Sequence, residues 1–282
     1  MSHQFCITDV FTHSRYAGNQ LGTLFDAADL SAAEMQQIAR EFNFAETTFH
    51  LGGNAEAGYD VRIFTPAKEL PFAGHPVLGT AFLLNQRYHQ GQAAQILLNL
   101  AAGQIPVVFQ PDGVLWMTQH QPEFGDEVPA ATAAAWLGLA ESDLIPGLPV
   151  RYVSTGIPFL LVPVNDLATL KRARPTADAP GEGILCFAPE GYETNQQISA
   201  RMFASGLGVP EDPATGSANG CLAAYLATWK VPGIEVVDLV VGQGYEIGRP
   251  SQLFLRCEQQ DGIYRIEVGG RVQKVATGEW GS

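Results

Sequence analysis

The chain has 282 residues, 46% of them hydrophobic, and its 30 Gly and 18 Pro break the apolar stretches into short pieces. This composition excludes a long all-helical chain and points to a strand-rich α+β protein with few helices, built as two domains of about 130 to 150 residues. A formal charge of −13, from 29 acidic against 16 basic residues with no basic cluster, argues against a nucleic-acid partner, although helix N-termini in an acidic protein can still attract a small anion.

In chain order, residues 4–11 and 21–25 alternate as strands do, with a loop containing Gly18-Asn19 between them. Ser31-Ala-Ala-Glu34 is a capping box, and Met35, Ile38, Ala39 and Phe42 recur at helical spacing behind it. Residues 45–51 and 59–64 read as strands. The helix expected over 76–88 is apolar nearly all round, which suits a helix enclosed by strands. Strands at 96–100, 105–109 and 114–117 follow, and residues 121–126 look like a junction.

A second round repeats the pattern: an Ala-rich helix at 130–139, strands at 151–154 and 159–164, and a polar segment through Pro180. Then come 183–188, the region 197–203, a helix after Asp212, and strands at 236–241, 253–258, 263–268 and 272–275. Each half thus holds short strands and one very apolar helix behind a Gly-containing polar turn. This weak internal duplication implies domains at 1–121 and 122–267, with 268–282 returning to the first, and a ligand cleft between them.

No basic leader with an apolar run stands at residues 1–10, and no run of about 18 apolar residues occurs, so no membrane partner and a cytoplasmic location are expected. Cys6, Cys186, Cys221 and Cys257 are widely spaced in mostly apolar surroundings, as buried free thiols are. The six histidines show no HxxH or HExxH spacing, so no metal site is expected.

Two helix starts carry the candidate chemistry. Glu211-Asp-Pro-Ala-Thr-Gly-Ser217 runs directly into an apolar helix, where the amides of Thr215, Gly216, Ser217 and Ala218 could hold a carboxylate; an ordinary capped helix is the alternative. Gly74-His75-Pro76 repeats the design in the first half. His75 can aim at a ligand there, with its neutral form favoured by the helix dipole, although a lone His is more often structural. Asp212 and Ser217 would project toward the same mouth as acceptor or relay and as hydroxyl donor. Glu46, flanked by Phe42, Phe44 and Phe49, suits a group that takes and returns a proton, against the alternative of an exposed edge carboxylate. The glycines around Ser217 are displaced from a nucleophile elbow, residues 242–248 miss the dinucleotide fingerprint, and no P-loop occurs, so no cofactor is implied.

These stretches, together with Asp9-Val-Phe11, Phe44-Ala-Glu46, Arg62-Ile-Phe-Thr-Pro66, Gln243-Gly244 and Gly248-Arg-Pro-Ser251, resemble the phenazine-biosynthesis PhzF-type isomerases of the diaminopimelate epimerase-like superfamily. The resemblance implies two pseudo-symmetric domains, each a strand-rich barrel around a central helix, in a homodimer. It also implies cofactor-independent acid–base isomerisation, in which Glu46 shuttles the proton while Gly74, His75, Asp212 and Ser217 line the site. Related racemases use one cysteine in each helix-start turn; Ala73 and Ser217-Ala218 hold those places here, and Cys221 lies a helical turn further on. The first loop reads Gly18-Asn-Gln-Leu21 where relatives often have Asn-Pro. The expected activity is therefore proton transfer on a small unsaturated or carbonyl-activated carboxylic acid. A racemase using Glu46 with another base, and a non-catalytic small-molecule binding protein, are the alternatives.

Overall fold

The computed structural model describes residues 2–181, 183–204 and 209–281. The chain forms two compact units, one of Met1–Met117 with Gly269–Ser282 and one of Thr118–Val268.

The first unit comprises β1 (His3–Val10), β2 (Asn19–Leu24), α1 (Ala32–Phe42), β3 (Glu46–Asn54), β4 (Gly58–Phe64), β5 (Glu69–Leu70), α2 (Gly74–His89), β6 (Gln95–Leu100), β7 (Gly103–Phe109), β8 (Leu115–Thr118) and the terminal strand Val272–Trp280. β1 lies antiparallel between β2 and the terminal strand, with a bulge at Ile7/Thr8 on the latter side. β2 pairs parallel with β3, setting Leu21 opposite Glu46. β3 pairs antiparallel with β4, which runs parallel to β6, and β6–β7–β8 form a meander.

α1 has the expected capping box: the Ser31 and Glu34 amides donate to the partner's side chain at 2.8 and 3.3 Å. Asn43 ends the helix in the left-handed region. Such a cap contributes about 1 kcal/mol, and Met35, Ile38 and Ala39 bury one face.

α2 is buried on every side over most of its length, from Gly74 through Ala81 and again at Leu83, Leu84 and Asn85. It packs against β1, β2, β3, β6, β7 and the terminal strand. Gly79 permits this approach, since a Cβ there would stand 2.5 Å from Leu21 Cδ2 and 2.9 Å from Val10 Cγ2. Buried hydroxyls tie the layers together: Thr80 donates to Thr48 at 2.9 Å, and Thr48 lies 2.8 Å from Thr23. Those bonds fix the height of α2 over the β2–β3 pair.

The second unit comprises β9 (Glu123–Glu127), α3 (Ala130–Trp136), β10 (Arg151–Ser154), β11 (Pro158–Pro163), α4 (Leu167–Arg172), β12 (Ile184–Ala188), β13 (Ile198–Ala204), β14 (Val209–Asp212), α5 (Gly216–Thr228), β15 (Val237–Gln243), β16 (Ser251–Gln260) and β17 (Ile263–Gly270). β10 pairs with β9 and β11, β11 runs parallel to β12, and β13 joins β12, β14 and β15, the last in parallel. β15 and β16 form an antiparallel pair from Val237↔Cys257 to Gln243↔Ser251. α5 packs against β10, β11, β15 and β16, with Ala218 through Leu226 buried. Near its end the Tyr225 hydroxyl donates to the Pro149 carbonyl at 2.8 Å. Each unit therefore wraps strands around one apolar helix.

Some local expectations change. The junction at 121–126 contains strand β9, whose residues are mostly exposed and which backbone pairing with β10 holds. The polar segment before Pro180 contains α4, capped by Asp166, which accepts the Thr169 amide at 2.7 Å. The Ala-rich helix stops at Trp136, and Gly138 follows with φ +66°. No helix among the described residues is long and apolar enough to cross a membrane.

Candidate active site

In the first unit the site grows from the β2–β3 pair and the start of α2. The parallel register brings Glu46, first residue of β3, alongside Leu21, and the neighbouring Gln20 carbonyl faces the first turn of α2. His75 Nε2 stands 3.2 Å from that carbonyl oxygen and 3.5 Å from Glu46 Oε2. A carbonyl only accepts, so Nε2 carries the ring proton and the tautomer is fixed. His75 is buried, and burial pushes its pKa down to about 3 against the opposing pull of the Gln20 bond. The neutral form anticipated from the helix dipole is thus imposed chiefly by desolvation. At neutral pH the imidazole stands beside Glu46 uncharged, with its Nε2 hydrogen directed to the Gln20 carbonyl.

The Glu46 side chain retains 17% of its exposure, enough for a ligand to reach it. Its flanking aromatics serve the core: Phe42 stacks on Trp280 at 4.7 Å and meets Phe5 edge-on, and Phe44 lies 5.6 Å from Phe42. Gly74 is the first helical residue, and the N-cap Ala73 makes no side-chain cap. The first-turn amides of α2 therefore have no capping side chain to satisfy them.

In the second unit, Asp212 ends β14 and α5 begins at Gly216. Asp212 Oδ2 accepts the Thr215 hydroxyl. Gln243, at the end of β15 and fully buried, donates from Nε2 to the Asp212 carbonyl at 2.8 Å and to Thr215 Oγ1 at 3.1 Å. Its Oε1 accepts from Asn219 Nδ2 at 2.9 Å and from the Thr215 amide at 3.4 Å. The Thr215 amide, expected to be unpaired, therefore has an intramolecular acceptor. The intrahelical ladder opens with the Asn219 amide donating to the Thr215 carbonyl at 3.0 Å, so the amides of Gly216, Ser217 and Ala218 lie ahead of it. Ser217 is half-buried there, between buried Gly216 and Ala218.

Several supporting residues were missed by sequence reasoning. Gln20 contributes only a carbonyl, which leaves no trace in residue type. Gln243 stood in a quoted motif without a role; the neighbouring Gly244 was its signal, with φ +80° and a Cβ position 2.6 Å from the Pro213 carbonyl oxygen. Glu211, adjacent to Asp212, is bound in two places by buried Arg201 at 2.9 and 2.7 Å. Arg201 also donates to the Leu170 and Ala173 carbonyls at 3.2 and 2.8 Å.

The four cysteines are free and buried. Burial raises Cys221 to about 11, so at neutral pH it is a thiol and a poor base. Among the described residues no three His, Cys, Asp or Glu side chains gather as a metal site.

Strands wrapped around a central helix in each unit, with a polar start on each helix, give an α+β fold shared with solved proteins of the PhzF family, whose curated members are isomerases. The chain belongs to the PhzC-PhzF family, described as phenazine biosynthesis-like protein, whose model matches residues 8–278. It is 34% identical over 286 residues to the trans-2,3-dihydro-3-hydroxyanthranilate isomerase of Pseudomonas aeruginosa, covering 98% of each chain. A solved Bacillus anthracis phenazine biosynthesis protein of the PhzF family superposes with TM-score 0.90 at 29% identity, covering 100% of both chains. A hydroxyproline epimerase from Agrobacterium vitis shares the fold alone, with TM-score 0.60 at 12% identity over 99% of this chain and 92% of that one.

Proposed function

We propose that the chain moves a proton on a small unsaturated or carbonyl-activated carboxylic acid by general acid–base catalysis, without a cofactor. Glu46 takes the proton from carbon and returns it. His75, an uncharged neighbour of the Glu46 carboxylate, orients the substrate, with Gly74 beside it. Asp212 accepts an amino or hydroxyl hydrogen of the substrate, while Ser217 and the amides of Gly216, Ser217 and Ala218 hold its carboxylate. The observation that carries this reading is the partly exposed Glu46 carboxylate 3.5 Å from a buried imidazole locked as an Nε2 donor. The small acidic substrate, homodimeric assembly and a cytoplasmic setting complete the proposal; a single sedimenting species with the mass of one chain would contradict the dimer.

The first substrate to assay is trans-2,3-dihydro-3-hydroxyanthranilate, after which the P. aeruginosa relative is named. Glu46→Gln keeps size and shape but removes the base, and should lower kcat/KM by about 100-fold or more with the thermal melt unchanged. Wild-type turnover by folded Glu46→Gln would overturn the assignment.

A further inference from the structure

We propose that Gln243 and Thr215 are positioning residues that fix the polarity of the Asp212 carboxylate, holding Oδ2 as a hydrogen-bond acceptor. This rests on the reading that Asp212 serves the substrate.

Two backbone groups set the orientation of Gln243. The Asp212 carbonyl can only accept, so the Gln243 atom 2.8 Å from it must be the amide nitrogen. The Thr215 amide can only donate, so the Gln243 atom 3.4 Å from it must be the oxygen. Both choices agree, and they fix the orientation of a side chain with no solvent exposure. The second Nε2 hydrogen then reaches Thr215 Oγ1 at 3.1 Å. With that lone pair occupied, the threonine hydroxyl directs its own hydrogen to Asp212 Oδ2.

Asn219 is oriented by the same logic. Its Nδ2 donates to the Thr215 carbonyl at 3.0 Å and to Gln243 Oε1 at 2.9 Å. Its Oδ1 is left buried with no hydrogen-bond partner among the described residues, a cost that makes sense only if the donor end is the one required. The resulting chain of donors runs one way, from Asn219 through Gln243 and Thr215 to the carboxylate. Each donor strengthens the next. Thr215 is thereby reassigned from contacting substrate to holding Asp212.

Neutron diffraction from wild-type crystals grown in D2O tests the polarity whatever the substrate. The expected map has deuterium on Thr215 Oγ1 aimed at Asp212 Oδ2, with both Gln243 Nε2 deuterons on the Asp212 carbonyl and Thr215 Oγ1. Deuterium on Asp212 Oδ2, or a Thr215 hydroxyl aimed elsewhere, overturns the proposal.

The kinetic consequence is read on trans-2,3-dihydro-3-hydroxyanthranilate. Thr215→Val and Gln243→Met should each lower kcat about tenfold or more, the size of one hydrogen bond to a charged group, with a smaller change in KM. Thr215→Ser should recover most of that loss, which a purely packing role for the threonine methyl would not allow. Full kcat in Thr215→Val, with Asp212→Asn inactive, also overturns the proposal. Full activity in Asp212→Asn instead removes Asp212 from the reaction, and that failure belongs to the proposed function while the hydrogen-bond polarity stands on the neutron map.

Discussion

His75 is held neutral by burial, and that has a measurable consequence for stability. Its folded value of about 3 lies below its ordinary 6.5. Between those values the unfolded chain binds a proton that the folded chain refuses, so stability rises with pH across the window. The contribution is fully present above about 6.5 and is lost as pH falls toward 3. A shift of one unit corresponds to about 1.4 kcal/mol. Wild type should therefore lose on the order of 2 kcal/mol more than His75→Gln between pH 7 and pH 4.5, measured by urea unfolding. Parallel pH dependence in the two proteins would place the imidazole in a more solvated setting than its burial implies.

At the scale of elements, close approach and buried charge set the strongest constraints. α2 sits on β1 and β2 only because Gly79 has no side chain. Gly79→Val adds overpacking to a poor helix former and should cost about 2 kcal/mol or more, visible as a lowered melting temperature; an unchanged melt would mean that α2 can shift away from β2. In the second unit, Arg201→Met strands Glu211 as a buried unpaired carboxylate, for a loss of about 3 to 5 kcal/mol. Arg201→Met with Glu211→Leu should recover a large part of it in denaturant titration, and additive losses would contradict the coupling. The sequence made the elements legible where local chemistry is strong: Ser31 and Glu34 announced α1, and the all-round apolar run after Pro76 announced an enclosed α2. β9 was hidden because an exposed strand held by backbone pairing has no apolar alternation. The candidate site was legible at Glu46, His75 and Asp212 as residue types at turns. The Gln243 clamp was not, since it exists only once β15 lies parallel to β13 and its last residue meets a turn that precedes it by some thirty positions.

For the molecule as a whole, the order of the chain matters more than its composition. The first unit is discontinuous: the chain leaves it after Met117 and returns at Gly269, whereas the second is one uninterrupted segment. The returning piece is integral to the first unit, because Val272–Trp280 pairs with β1 from His3↔Trp280 to Val10↔Val272. Trp280 stacks on Phe42, and the bare Cα of Gly278 makes room for the Phe5 ring, whose Cε1 would stand 2.6 Å from an added Cβ. A chain ending at Val268 would therefore leave one side of β1 without its ladder and strip the aromatic stack from α1. An unpaired edge of that kind recruits other chains. Amide hydrogen exchange on the truncated protein should show β1, β2 and α1 losing protection while the strands of residues 118–268 keep theirs, because that segment carries its own central helix and strand pairings. Retained protection in β1 would show that β2 and α2 alone can hold it. The expected split follows from topology: the last strand supplies the first strand's second partner, so the first unit can close only after the second has been passed through.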